Sequence, residues 1–199
     1  RPMTAFSIYG DYILTATTFL PLAGAALILL LASNQLARWM ALVTTVATLA
    51  ISAPLYWNFD KTSTALQFSE SRNWIPDWNI TYSMGVDGIS ILFIFLASIL
   101  SILCVSVSWT AVGTRVREFY SALLVAETAM IGLFAASNLF LFYIFWELML
   151  IPMFLIIGVW GGPARIYAAV KFLLFTLAGS VLMLVGTITL YQAFGTLDF

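Results

Sequence analysis

LFLFYIFWELMLIPMFLIIGVWGG, residues 139–162, is the stretch whose reading decides the fold. It is apolar at membrane length, because a hydrocarbon core about 30 Å thick takes about 20 residues of helix to cross. One carboxylate, Glu147, stands near its middle, and a proline, Pro152, follows five residues later. Glu147 lies nine residues past Asn138, where the polar punctuation ends. At a helical rise of about 1.5 Å per residue it is about 13 Å deep. An ionised carboxylate there costs at least about 2.5 kcal/mol on insertion scales. A side chain of that cost lies on an ion or proton path or is paired for structure, and the path is the default reading. Pro152 frees one backbone carbonyl where a water can bind, although a simple kink is the plainer account of it.

The composition around this run points the same way. Hydrophobic residues make up 62% and charged residues 9% of the chain, and the mean hydropathy is +1.02. Soluble domains carry about 25% charged residues, so these values describe an all-α integral membrane protein with several spans. The net charge of −1 rests on so few groups that their placement says more than their sum. Cys104 is the sole cysteine, which excludes an intrachain disulfide, and it reads as an apolar thiol. There is no histidine, which removes imidazole-ligated haem, His-containing metal sites and Ser-His-Asp or Cys-His catalysis. No phosphate-cradling glycine loop is present, and no nucleic-acid partner is expected. The sequence offers this chain no metal site, no redox centre of its own and no covalent catalysis.

Working outward from residues 139–162, six spans are expected. Residues 1–12 form a polar lead without the basic start and cleavage site of a signal peptide, so the first span, 13–32, should be retained. The missing initiator Met and the end at Phe199 suggest residues absent at one or both ends. Residues 33–35 turn the chain into a second span, 36–57, with Trp39, Tyr56 and Trp57 as interfacial anchors. Residues 58–83 are the one long polar segment, with Asp60, Lys61, Glu70, Arg72 and Asp77 among Phe68, Trp74, Trp78 and Tyr82. They read as a loop on the headgroup surface or against a neighbouring subunit, or as a solvated loop. The third span, 84–109, is introduced by GVDGIS, where Asp87 can cap the helix start. A basic loop, 110–119, precedes the fourth span, 120–136. The turn at Ser137 and Asn138 joins it to the fifth span in a tight hairpin. GGPAR, 161–165, leads to the sixth span, 166–193. The organisation expected is therefore two spans in 1–57, an extracytoplasmic loop in 58–83 and four spans in 84–199. Arg38, Arg115, Arg117 and Arg165 all fall on one side, which the positive-inside rule makes cytoplasmic. Asp11, Asp60, Glu70, Asp77, Asp87 and Asp198 fall on the other, against Arg1, Lys61 and Arg72.

Three ionisable groups lie inside spans. Glu127 is ten residues before Ser137, and Glu147 nine after Asn138, so a hairpin turning there holds them within about 1.5 Å of one depth. If helix rotation brings them face to face, they can share a proton and pass it on. Lys171 is six residues beyond Arg165, about 9 Å into the sixth span. It either snorkels to the cytoplasmic face or points inward and acts on a carboxylate through water. Together they suggest a proton wire of carboxylates, lysines and water. Gly158 and Gly162, four apart, are compatible with close helix packing, a weak and common pattern.

The run FYIFWELMLIPMFLIIGVWGG, followed by RIYAAVKFLLFTLAGSVLML, resembles the antiporter-like proton-channel subunits of respiratory complex I, NADH:quinone oxidoreductase. Within them it looks most like the M-type chain, whose mitochondrial counterpart is subunit 4. GVDGIS before the third span and REFY before the fourth fit the same family, and the strong resemblance covers about 83–191. It implies that Glu147, in W-E-x-x-L-I-P, is the carboxylate required for proton pumping. It likewise maps the family's fourth-helix glutamate onto Glu127 and the A-A-x-K-F lysine onto Lys171. Members have roughly fourteen helices in inverted repeats with broken helices, so six spans would be part of a larger bundle, the start of a proton-channel repeat. The later lysine-bearing helices are not in this sequence, and six spans alone are not expected to pump.

The resemblance implies a translocase subunit that carries no cofactor. FMN, iron–sulfur clusters, NADH and quinone are expected on other subunits. The partners implied are other membrane subunits of complex I and the lipid bilayer, in a bacterial inner membrane or a mitochondrial one. A Mrp-type cation/proton antiporter subunit, or a structural subunit with buried ion pairs, is the alternative.

Overall fold

The computed structural model describes residues 12–31, 33–63, 65–76 and 80–197. Arg1, Asp11, Asp77, Trp78 and Asp198 lie outside them. The described residues form six long helices and one two-stranded hairpin. In chain order these are α1 (Ile13–Leu31), α2 (Asn34–Trp57), β1 (Gln67–Ile75), β2 (Ile80–Val86), α3 (Gly88–Ala111), α4 (Val116–Ala135), α5 (Leu139–Trp160) and α6 (Arg165–Phe194). All six helices are long and apolar enough to cross a membrane. Apolar chain without water to satisfy its backbone must satisfy it internally, and helices do so.

Polar side chains set several of the boundaries. Ser33 accepts from the Leu36 amide at 3.4 Å at the start of α2. Asp87 caps α3 as expected, accepting from the amides of Ile89 at 3.0 Å and Ser90 at 2.7 Å. These bonds, with the Ser90 amide foremost, hold the Asp87 carboxyl below its ordinary range. Asn138 caps α5 by accepting from the Leu141 amide at 2.8 Å. Consecutive helices alternate in direction, so the ends carrying Arg38, Arg115, Arg117 and Arg165 gather on one side of the bundle.

The segment 58–83, expected as a loop, is largely an antiparallel hairpin that packs on this chain's own helix ends. Its strands pair from Gln67 opposite Val86 to Ile75 opposite Ile80. Met84–Val86 is therefore strand, and the third helix starts at Gly88 rather than at 84. The fourth starts earlier than expected, at Val116, and takes Arg117 and Glu118 into its first turn. A bulge between Gln67 and Glu70, with Phe68 at φ 54°, re-aims β1. It turns the buried Glu70 carboxylate onto the start of α1, where it accepts from the Leu14 amide at 2.7 Å, the Thr15 amide and the Thr15 hydroxyl. Tyr82 joins that contact through the Thr15 hydroxyl at 2.8 Å. Trp74 packs edge-on to Phe140 of α5, with ring centroids 5.9 Å apart.

The other edge of the hairpin is fastened to the α4–α5 turn. Asn138 donates to the Thr81 carbonyl at 2.7 Å, the Ser137 amide donates to the Ser83 carbonyl at 3.0 Å, and the Ser83 and Ser137 hydroxyls are 2.6 Å apart. One hairpin thus ties the beginning of α1 to the end of α4. Those two helices make the most extensive helix contact in the chain. Helices α1 to α4 pack together, α5 lies against α4, and α6 against α5.

Candidate functional site

Glu127 sits in the interior of α4, fully buried, with both carboxylate oxygens lacking a hydrogen-bond partner. Glu147 is half-buried on α5, and its Oε1 is buried without a partner. Tyr143, one turn earlier on the same helix, places its hydroxyl beside the Glu147 carboxylate and near Ser180 of α6. Glu147 therefore faces the α5–α6 side, while Glu127 faces the interior of the first four helices. Among the described residues no hydrogen bond joins the two carboxyl groups. The hairpin turns where the spacing puts it, between Ala135 and Leu139, yet level alone does not bring the two acids together.

Helices α4 and α5 approach closely just beyond Glu127. A Cβ on Gly132 would collide with the Phe145 ring, so the ring lies directly on the α4 backbone. Phe145 also meets Phe19 of α1, ring centroids 6.2 Å apart. Pro152 is buried within α5, which continues through it to Trp160. Gly158 has only ordinary contact, with the Ala169 side chain of α6, and Gly162 has open space around it.

Lys171 is exposed, its Nζ 5.7 Å from the centroid of the Tyr167 ring. The buried positions of α6 are Ala169, Ser180 and Thr187. At about 100° per residue these three share one face and Lys171 stands roughly 200° from Ala169, nearly opposite. Lys171 is thus turned away from α5 and Glu147. Its surroundings are Val170, Leu174, Phe175 and Ala178 on the bare side of α6, where Phe175 is 84% exposed. Cys104 is likewise exposed, on α3, among Leu100, Leu103 and Val107. No group of three or more metal-ligating side chains occurs among the described residues.

Sequence reasoning missed Tyr143, although its four-residue spacing from Glu147 was a usable signal. It also passed over Thr18 and Thr128, whose hydroxyl oxygens are buried without partners. Nothing in a single sequence marks those two, since threonines in spans ordinarily bond their own helix.

Residues 136–199 match the family described as NADH:quinone oxidoreductase/Mrp antiporter, TM. The chain is 48% identical over 192 residues to NADH-quinone oxidoreductase subunit M of Rhodobacter capsulatus, a match covering 94% of this chain and 37% of that protein. It is 40% identical over 194 residues to NADH-ubiquinone oxidoreductase chain 4 of Chondrus crispus, covering 96% of this chain and 39% of that one. Among solved structures, a chain of respiratory complex I from Thermus thermophilus with bound NADH superposes with TM-score 0.79 at 28% identity, over 93% of this chain and 38% of that chain. A chain of the Mrp complex from a Dietzia species superposes with TM-score 0.78 at 20% identity, over 93% of this chain and 20% of that chain, a likeness of fold. The chain spans well under half the length of the curated relatives it matches. The resemblance read from the sequence is borne out: residues 136–199 carry the NADH:quinone oxidoreductase/Mrp antiporter pattern, and nearly the whole chain is similar to part of subunit M and chain 4 proteins.

Proposed function

We propose that this chain is part of a proton-translocating membrane subunit of a NADH:quinone oxidoreductase, in a bacterial inner membrane, and that Glu147 is its central proton-carrying group. The observation that carries the reading is the half-buried Glu147 on α5, with one oxygen unpartnered and the Tyr143 hydroxyl beside it. An oxygen left free on that carboxylate can take a proton or accept from a water, as a relay requires. Redox chemistry on NADH, flavin, iron–sulfur clusters and quinone belongs, in this reading, to other subunits. Their energy reaches this chain as a shift between two states in which Glu147 has different surroundings.

Glu127 is the second carboxylate of the relay, reached from Glu147 through intervening water rather than by direct contact. Lys171 faces away from α5, so it acts on a group lying beyond α6 and not on Glu147 itself. That placement fits a larger bundle in which further helices cover the bare side of α6. The Mrp-type antiporter is the second reading, supported by the family description itself. Co-purification with flavin and iron–sulfur subunits separates the two. The direct test is Glu147→Gln in the full-length, assembled complex in vesicles. Assembly and electron transfer to quinone should survive while proton pumping is largely lost. Normal pumping would remove Glu147 from the mechanism, and failed assembly with intact pumping in the surviving fraction would make it a structural residue.

A further inference from the structure

Two apolar clusters divide the interior of the first four helices. The one at the hairpin end takes Leu14 from α1, Leu55 from α2, Ile94 from α3 and Ile131 from α4. The other, at the opposite end, takes Ala25, Ala41, Val105 and Leu124 from the same helices. Between them every helix contributes buried polar side chains: Thr18 on α1, Thr48 on α2, Ser98 on α3, and Glu127 with Thr128 on α4. This is a polar layer at mid-depth, enclosed above and below by hydrocarbon.

Two of its four hydroxyls are anchored. Thr48 donates to the Thr44 carbonyl at 2.9 Å and Ser98 to the Ile94 carbonyl at 3.0 Å, which leaves their lone pairs available as acceptors. Four oxygens are not anchored: Thr18 Oγ1, Thr128 Oγ1 and both carboxylate oxygens of Glu127. Their positions are tied together by a bond across the α1–α4 contact, where the Ser121 hydroxyl donates to the Ala25 carbonyl at 3.2 Å. The two helices are antiparallel, so seven residues toward the hairpin from that bond Thr18 stands opposite Thr128. Seven residues fall within about 20° of two full turns, which keeps both side chains on the seam that Ala25 and Ser121 define. Glu127 is the immediate neighbour of Thr128. The four orphaned oxygens therefore lie at one level of the bundle, the threonine pair on the α1–α4 seam and the Glu127 carboxyl about 100° round α4 from it.

Buried polar atoms almost always have a partner, from the protein or from ordered water. A carboxyl group and two hydroxyls at one level of a packed bundle can give buried waters between them the three or so hydrogen bonds each ordinarily makes. We propose that Thr18, Thr128 and Glu127 hold a buried water cluster in the α1–α4 seam, and that Glu127 exchanges its proton through it. The hydration site stands on this chain's geometry alone; its place on a proton route rests on the function proposed above. Thr18 and Thr128 are positioning residues, which hold the water and carry no proton away. The water donates to one Glu127 oxygen and accepts from a threonine hydroxyl. A proton leaving Glu127 passes to a water oxygen as that water releases another of its protons to the next water on the way to Glu147, the acceptor in the function proposed above.

The first test is a map of the assembled, full-length complex at a resolution that shows ordered water. Density within hydrogen-bonding distance of Glu127 and both threonine hydroxyls is expected. A dry seam, with each threonine bonded to its own helix, overturns the proposal. The second test replaces both hydroxyls with methyl groups of similar shape, Thr18→Val with Thr128→Val, alongside Thr18→Ser with Thr128→Ser. The valine pair should lose the water density and lower the protons pumped per electron pair several-fold, with quinone reduction retained. The serine pair should restore both. Pumping that is unchanged in the valine pair while the water is gone removes the seam from the proton route. If the valine pair does not assemble, the wild-type map decides. Water in the seam together with normal pumping by Glu147→Gln would sink the function proposed above and leave the hydration site standing.

Discussion

Glu70→Ala should loosen the joint between the hairpin and α1. The Glu70 carboxylate, 7% exposed, accepts the amides of Leu14 and Thr15 and the Thr15 hydroxyl. The amides belong to the first turn of α1, whose free N–H groups have no partner within the helix. Glu70 is therefore a cap supplied from a distant strand. Losing a cap costs about 0.5–2 kcal/mol, and a negative charge at a helix start contributes about 0.3–1 kcal/mol more. A total near 2 kcal/mol, at about 1.4 kcal/mol per tenfold, raises local opening of the first turn of α1 roughly thirtyfold. Hydrogen–deuterium exchange on peptides from residues 12–22 of the intact assembly reads that opening directly. Faster exchange confined to those peptides and to the hairpin is expected. Glu70→Gln, which keeps an acceptor and loses the charge, should recover part of the protection. Unchanged exchange at Leu14 and Thr15 in the alanine variant would refute the capping argument. It would also show that α1 is held on α4 by helix packing alone.

Three further outcomes follow from the same geometry. Gly132→Ala should cost about 1–3 kcal/mol by driving a methyl into the Phe145 ring, and a lower melting temperature with a disturbed α4–α5 contact checks it. Asn138→Ala removes both the cap of α5 and the bond to the Thr81 carbonyl; a loss of about 1–2 kcal/mol is expected, read as faster exchange in β2 and the first turn of α5. The Asp87 carboxyl is held below the ordinary aspartate range, so its contribution to stability is full above that range and is lost as pH falls through the lower folded value. Asp87→Asn, which still caps, should flatten the part of the acid-melting curve below about pH 4 and leave stability at neutral pH nearly unchanged.

The spans were legible because a lipid-crossing helix must be long and apolar, and both properties are local. Their ends were less so. Met84 and Val86 continue an apolar run into α3, but Asp87 starts the helix after them and pairing with β1 draws them into a strand. The hairpin itself gave little signal: QFSESRNWI is polar with no clean alternation, and its bulge at Phe68 breaks the period that marks a strand. Glu127 and Glu147 were visible as rare charges in hydrocarbon, and their common level followed from the short turn. Their facing was not visible, because helix rotation depends on which neighbours each helix meets. Lys171 is the clearest case. Its depth could be counted from Arg165, but its direction appeared only once Ala169, Ser180 and Thr187 marked the packed side of α6. Thr18 and Thr128 needed the register of two helices distant in the chain, which the bond from Ser121 to Ala25, 96 residues apart, supplies and the sequence does not.

The length of α6 has a consequence for how this chain meets its bilayer. Its 30 residues make a rod about 45 Å long, whereas the 22 residues of α5 make one about 33 Å long, close to the thickness of the hydrocarbon slab. Both rods run between similar heights, since the Leu139 amide at one end of α5 is bonded to the Leu197 carbonyl at 2.9 Å, just past the end of α6. The surplus of about 12 Å must be absorbed by tilt, by bending or by overhang into the headgroups. Of the six described spans, α6 therefore carries the largest mismatch with the hydrocarbon slab, and the helices packed on its sides decide how that surplus is taken up.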